Sequence, residues 1–188
     1  SRDSQGVCAV ASADAVSREL PEPSVGETLV VLAQGRDPGN VGTIIRTADA
    51  FGAVGVITVS GTVEATSPKV VRASAGSVFH IPVCVVSSFE EAHTLIHRRS
   101  AALLGTSGGA GSLDLSQMLA QGVSGRSRLS QSHAWVFGNE AKGLSGAEMR
   151  LCDALVSIPM TGDAESLNVA SAATACLFAS QTVRGMTL

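Results

Sequence analysis

A chain of 188 residues, 45% hydrophobic and 15% charged, is long enough to bury its own core and has the composition of one soluble domain. Its formal charge of −3 excludes a uniformly basic nucleic-acid binder but leaves room for a local basic patch, and its longest apolar runs fall far short of a membrane span. Four scattered cysteines (Cys8, Cys84, Cys152, Cys176) with no CxxC pair signal neither a zinc site nor a disulfide framework, so a reducing, cytoplasmic setting is the default.

Taken in chain order, residues 1–25 show no basic-then-apolar leader and read as a linker ahead of a domain over 26–188. Short apolar, β-branched segments at 28–33, 54–59, 81–86, 101–106, 134–137 and 154–159 predict strands buried on both faces. Between them, 40–51 places Val41, Ile44, Ile45, Ala48 and Phe51 at helical core spacing, leaving Asn40, Thr43, Arg46 and Thr47 as a polar stripe. Ser67 followed by Pro68 predicts a helix start. Ser87 and Ser88, three before Glu90 and Glu91, and Ser145, three before Glu148, have capping-box spacing. The Gly- and Ser-rich stretch 107–132 predicts one short helix around 113–120 and a mobile loop after it. This alternation of strands and helices predicts an α/β fold around a mainly parallel sheet.

Three stretches carry the chemistry. In 37–57, the Pro38–Gly39 turn feeds a helix whose free N–H groups suit an anion, and Arg46 on its polar stripe is an always-charged fork matched to phosphate. In 135–145, a strand ends in Gly138-Asn139-Glu140, where glycine permits close backbone approach at the end of an α/β strand. In 157–179, a strand and a Gly-containing loop lead into Ser166-Leu167-Asn168 at the threshold of an Ala-rich helix. Those polar side chains either cap the helix or face a ligand. No GxGxxG follows a strand, and 105–112 lacks a P-loop ending, which disfavours an ordinary nucleotide-binding domain. Lys69 and Arg72, on the helix after Pro68, are candidate phosphate contacts. His80, His93, His97 and His133 fall outside all three stretches and read as structural or solvent-facing. With 3% aromatics and no Tyr, little material exists for stacking unpaired bases.

In this order the stretches resemble the SpoU family of S-adenosylmethionine-dependent RNA ribose 2′-O-methyltransferases, within the SPOUT superfamily. The likeness rests on Asn40, Gly42, Arg46, Thr47, Ala48, Phe51 and Gly52, then Gly138, Glu140 and Gly143. It continues with Ile158, Pro159, Met160, Gly162, Ser166, Leu167, Asn168 and Val169, and covers roughly 26–182. Ala170 departs from the family's usual Ser. The resemblance implies a parallel sheet with helices on both faces and a carboxy-terminal trefoil knot, an exception to unknotted topology. It implies an S-adenosylmethionine cleft lined by Gly138, Ile158 and Leu167 with Thr106, Asn139 and Met160 as neighbours, a homodimer, and no metal. It points to Arg46 as the leading catalytic residue, with Ser166 and Asn168 orienting the hydroxyl or Arg46 and Glu140 and Asn40 holding the loops. Because a guanidinium stays protonated at neutral pH, Arg46 is expected to grip phosphate and stabilise charge rather than act as a base. An amino-terminal RNA-binding domain before residues 4–12 and an rRNA substrate are the expectation. A tRNA substrate and a catalytically silent RNA-binding knot protein are the alternatives.

Overall fold

The computed structural model describes residues 9–16, 18–109, 111–122 and 125–187. Its strands are β1 (Thr28–Leu32), β2 (Gly55–Val59), β3 (Val83–Val86), β4 (Ala102–Thr106), β5 (Leu113–Asp114), β6 (His133–Phe137) and β7 (Ala154–Ser157). Among the described residues they form one seven-stranded sheet, ordered β3-β2-β1-β6-β4-β7-β5, with every pairing parallel. Every residue of β1, β2 and β6 is buried, as expected of strands covered on both faces.

Helices cover those faces: α1 (Pro38–Ala50), α2 (Pro68–Ala73), α3 (Phe89–Arg98), α4 (Leu115–Gly122), α5 (Gly146–Leu151) and α6 (Val169–Thr187). Because successive strand residues point to opposite sides, Val30, Val56 and Trp135 pack with Ile44, Ile45, Met118 and Leu177 of α1, α4 and α6. Leu29, Ile57 and Ala134 pack with Phe89, Ala92 and Ile96 of α3 on the other side. The core spacing expected for α1 holds at Val41, Ile44, Ile45 and Ala48, while Phe51 is half-buried at the helix end, edge-on to the exposed Phe178.

Local signals set the helix ends. Asp37 caps α1 by accepting from Asn40 N–H at 2.9 Å, with Pro38 in the first turn. Ser67 caps α2, Ser88 caps α3, and Ser145 with Glu148 forms a complete capping box on α5. Gly42 allows α1 to cross α2 closely, since a Cβ there would lie 2.6 Å from both Ala73 Cβ and Val70 O.

The short helix expected around 113–120 begins later. Leu113 and Asp114 pair with Val156 and Ser157 as β5, and α4 runs from Leu115 to Gly122. Part of the loop expected after it, residues 123 and 124, lies outside the described residues. Strands β3 and β7 are shorter than the apolar runs suggest, because Pro82 and Pro159 have no N–H for a ladder.

The described part of the amino-terminal stretch is fastened to the domain. Val16 is buried, and Arg18 Nη2 donates to Phe79 O at 3.0 Å and His80 O at 2.7 Å. Leu20 covers Gly55, and Arg99 donates to Pro21 O at 2.8 Å and to both Glu27 carboxylate oxygens at 2.6 and 2.8 Å. Burial opposes ionisation of Glu27, but the Arg99 hydrogen bond and the Ser24 N–H outweigh it and hold the carboxyl below its ordinary value.

Candidate active site

Strands β1, β2 and β3 run outward on one side of the sheet, while β4 is placed on the other with β6 filling the gap. Such a reversal opens a crevice at the carboxyl ends of the strands. A cleft of about 480 Å³ lies there, between Thr106–Gly108 after β4, Gly138–Leu144 after β6, and the stretch from Val156 through Ala172 that joins β7 to α6. That volume suits a cofactor-sized ligand.

The loop after β6 is shaped by its glycines. A Cβ on Gly138 would lie 2.3 Å from Gly143 C, and Gly143 itself has φ +65°. Asn139 and Gly143 exchange backbone hydrogen bonds at 3.1 and 2.8 Å. The Asn139 side-chain oxygen accepts from Ala141 N and Lys142 N at 3.0 and 3.2 Å, and its amide donates to Gln34 O at 3.2 Å. The turn is therefore preorganised, leaving backbone groups beside the apolar Leu144, Ile158 and Leu167.

A chain of side chains ties the three stretches together. Glu140 accepts from Asp37 N at 3.0 Å and from Arg36 N at 3.2 Å. Burial opposes its ionisation, yet the N–H of Asp37, its own N–H, that of Arg36 and the Asn40 side chain keep the carboxyl below its ordinary value. Asn40 Oδ1 in turn accepts from Asn168 Nδ2 at 3.0 Å. Asn168 Oδ1 accepts from Ala170 N and Ser171 N at 2.9 and 3.3 Å, which caps α6. One side chain thus both starts the helix and links it to α1.

All six expected cofactor residues, Thr106, Gly138, Asn139, Ile158, Met160 and Leu167, line the cleft, together with Glu140 and Ser166. Asn40 and Asn168 do not line it and are joined to Glu140 only through the hydrogen-bond network. Arg46, Lys69 and Arg72 do not line it. Arg46 is exposed about 9 Å further along α1 than Asn40 and has no side-chain partner among the described residues. Lys69 Nζ lies 3.9 Å from Asp37 Oδ2 with both side chains largely in solvent, a pair of small energetic weight. Arg72 is exposed.

Sequence reasoning missed Lys142, Leu144, Met149, Glu165 and Ala172. The last follows Val169 by three residues, so helical spacing on α6 was the available signal. Among the described residues no three or more His, Cys, Asp or Glu side chains are grouped to hold a metal ion, and no helix is long and apolar enough to cross a membrane.

These features define an α/β domain with a ligand cleft at the carboxyl ends of its strands, bounded by two Gly-bearing loops. The chain belongs to the SpoU rRNA Methylase family, whose model matches residues 27–178. It is 42% identical over 146 residues to the 23S rRNA (uridine(2479)-2′-O)-methyltransferase of Streptomyces viridochromogenes, covering 75% of this chain and 47% of that protein. It is 33% identical over 180 residues to the 23S rRNA (guanosine-2′-O-)-methyltransferase RlmB of Bordetella pertussis, covering 94% and 69% respectively. The SpoU methyltransferase AviRb from Streptomyces viridochromogenes, solved in complex with the cofactor AdoMet, superposes with a TM-score of 0.73 at 35% identity, covering 93% of this chain and 64% of that one. The chain thus spans about half the length of the first of these relatives.

Proposed function

We propose that this chain transfers a methyl group from S-adenosylmethionine to the 2′-oxygen of a ribose in RNA, with 23S rRNA favoured over tRNA. The observation that carries this reading is the network from Glu140 through Asn40 to Asn168, which holds all three motif stretches around one cleft. The names of its relatives and the AdoMet complex of AviRb support the cofactor and the RNA class.

Bound in the cleft, S-adenosylmethionine supplies an already activated methyl group on sulfur. The chain's own task is alignment and charge stabilisation. Leu144, Ile158 and Leu167 receive the apolar part of the cofactor, and Gly138 lets main-chain groups approach it. Ser166 orients the ribose hydroxyl, while Asn168 sets the position of α1 and hence of Arg46. Arg46 grips a target phosphate and stabilises negative charge developing on the 2′-oxygen. Its position outside the cleft lining is accounted for by a homodimer in which α1 of one copy faces the site of the other; Phe178, 53% exposed beside Phe51 on α1 and α6, supports that face as the contact. A cytoplasmic setting, an RNA-binding segment preceding this domain and a knotted carboxy-terminal threading belong to the same proposal.

Transfer of radiolabelled methyl from S-adenosylmethionine to 23S rRNA tests the reading. Arg46→Ala is expected to lower the transfer rate by about 100-fold or more while cofactor affinity stays within about twofold of wild type. Normal turnover by that variant would remove Arg46 from the mechanism.

A further inference from the structure

We infer that a second cavity, on the far side of the 139–142 turn from the cofactor cleft, is a phosphodiester subsite for the RNA strand, with Arg36 and Lys142 as its cationic contacts. It has a volume of about 310 Å³ and is lined by Gln34, Arg36, Asn139, Glu140, Ala141 and Lys142. The last four also border the cleft, so one turn is the wall of both; Gln34 and Arg36 belong to the second cavity alone. It opens where the adjacent strands β1 and β6 end, their last residues paired as Leu32 with Phe137.

Two features suit this cavity to an anion, and a third fixes its shape. Arg36 and Lys142 are exposed, and neither side chain has a hydrogen bond or ion pair among the described residues. The one carboxylate in the lining is committed elsewhere, since Glu140 accepts the N–H groups of Arg36 and Asp37. Two cations with no side-chain partner and one carboxylate bonded to backbone N–H groups therefore line the space, which leaves it net positive. Finally, Gln34 has φ +62°, a region unfavourable for a side-chain-bearing residue, and is held there by the Asn139 amide on its carbonyl.

The ligand class follows from these groups. An arginine fork suits two phosphate oxygens and a lysine adds a point charge. Ala141 is the only apolar side chain in the lining, so the cavity offers little to the face of a base. Because Lys142 lies on the shared wall, a strand bound here continues directly towards the cleft. The phosphate held is then one flanking the methylated ribose, an assignment that rests on the function proposed above.

The test uses the full chain and a fluorescein-labelled oligouridylate, with affinity followed by anisotropy across a potassium chloride series. Arg36→Gln and Lys142→Gln are each expected to lessen the slope of log affinity against log salt by about 0.7, the value for one single-strand phosphate contact. Arg98→Gln, at the end of α3 that leads into β4 and so near the amino ends of the strands, is expected to leave the slope unchanged. A wild-type slope in Arg36→Gln, an equal loss in Arg98→Gln, or absence of RNA binding by the wild type would overturn the subsite. Calorimetric titration with S-adenosylmethionine separates the two proposals. Wild-type affinity in Arg36→Gln alongside the slope change supports both. Loss of slope in a protein that binds no S-adenosylmethionine keeps the subsite and removes the methyl-transfer reading.

Discussion

Asn168 does two jobs with one amide. Its oxygen satisfies two N–H groups that the start of α6 leaves unpaired, and its nitrogen reaches Asn40 on α1. An aspartate would cap as well but could not donate to Asn40, which is why a residue with mediocre helix propensity stands there. His133 shows the opposite use of a polar side chain. It is fully buried, donates from Nδ1 to Gln131 O at 2.8 Å and accepts at Nε2 from Ser180 Oγ at 2.8 Å, while Trp135 Nε1 also donates to Ser180. This fastens α6 to β6 with a neutral imidazole. Burial is the main cause that lowers its pKa from the ordinary 6.5 to about 4; the Gln131 carbonyl opposes this and Arg184 adds to it. Between those values the unfolded chain takes up a proton that the folded chain refuses. Stability is therefore fully present above about pH 6.5 and declines as pH falls towards 4, by about 3 kcal/mol in all. Urea unfolding at intervals from pH 7.5 to 4 is expected to show this decline, and a markedly shallower one in His133→Gln. An equally steep decline in the variant would mean that other groups govern it.

At the scale of elements, close crossing of α1 over α2 positions the helix that bears Asn40 and Arg46. Substituting Gly42 with Ala would gain about 1 kcal/mol in helix propensity. The new methyl would lie 2.6 Å from Ala73 Cβ and Val70 O, and overpacking of that kind costs about 1–3 kcal/mol. The clash is expected to win, lowering the melting temperature by about 2–4 °C per kcal/mol of net loss. An unchanged or raised melting temperature would show that the helices can part freely. Most elements were legible because their causes are local: Ser67, Ser88 and Ser145 each cap the helix that their spacing announces, whereas Asp37, which caps α1 and starts it two residues before the expected 40, was not read as a cap. The two-residue β5 was not, because only its pairing with β7, more than 40 positions away, makes Leu113 and Asp114 extended.

For the whole molecule, alternation of strands and helices revealed a parallel sheet but not its order. Nothing local brings β6 between β1 and β4, or joins Glu27 to Arg99 across 72 positions. The site divides the same way. Gly138, Asn139, Ile158 and Leu167 were legible as motif residues, whereas Lys142 and Glu165 carry no spacing signal and enter the cleft only because their loops meet. Lys69 and Arg72 are exposed away from the cleft, and no sequence pattern could say that Arg46 would stand outside the cleft lining.

The most direct measurement is a titration of the nitrogen-15-labelled chain with S-adenosylmethionine, followed by amide chemical shifts. A methyl-donor cleft between the two Gly-bearing loops predicts saturable shifts concentrated at Thr106, Gly138, Leu144, Ile158 and Leu167. No shifts, or shifts confined to the separate groove formed by Asp49–Gly52 and Gln181–Gly185, would contradict it.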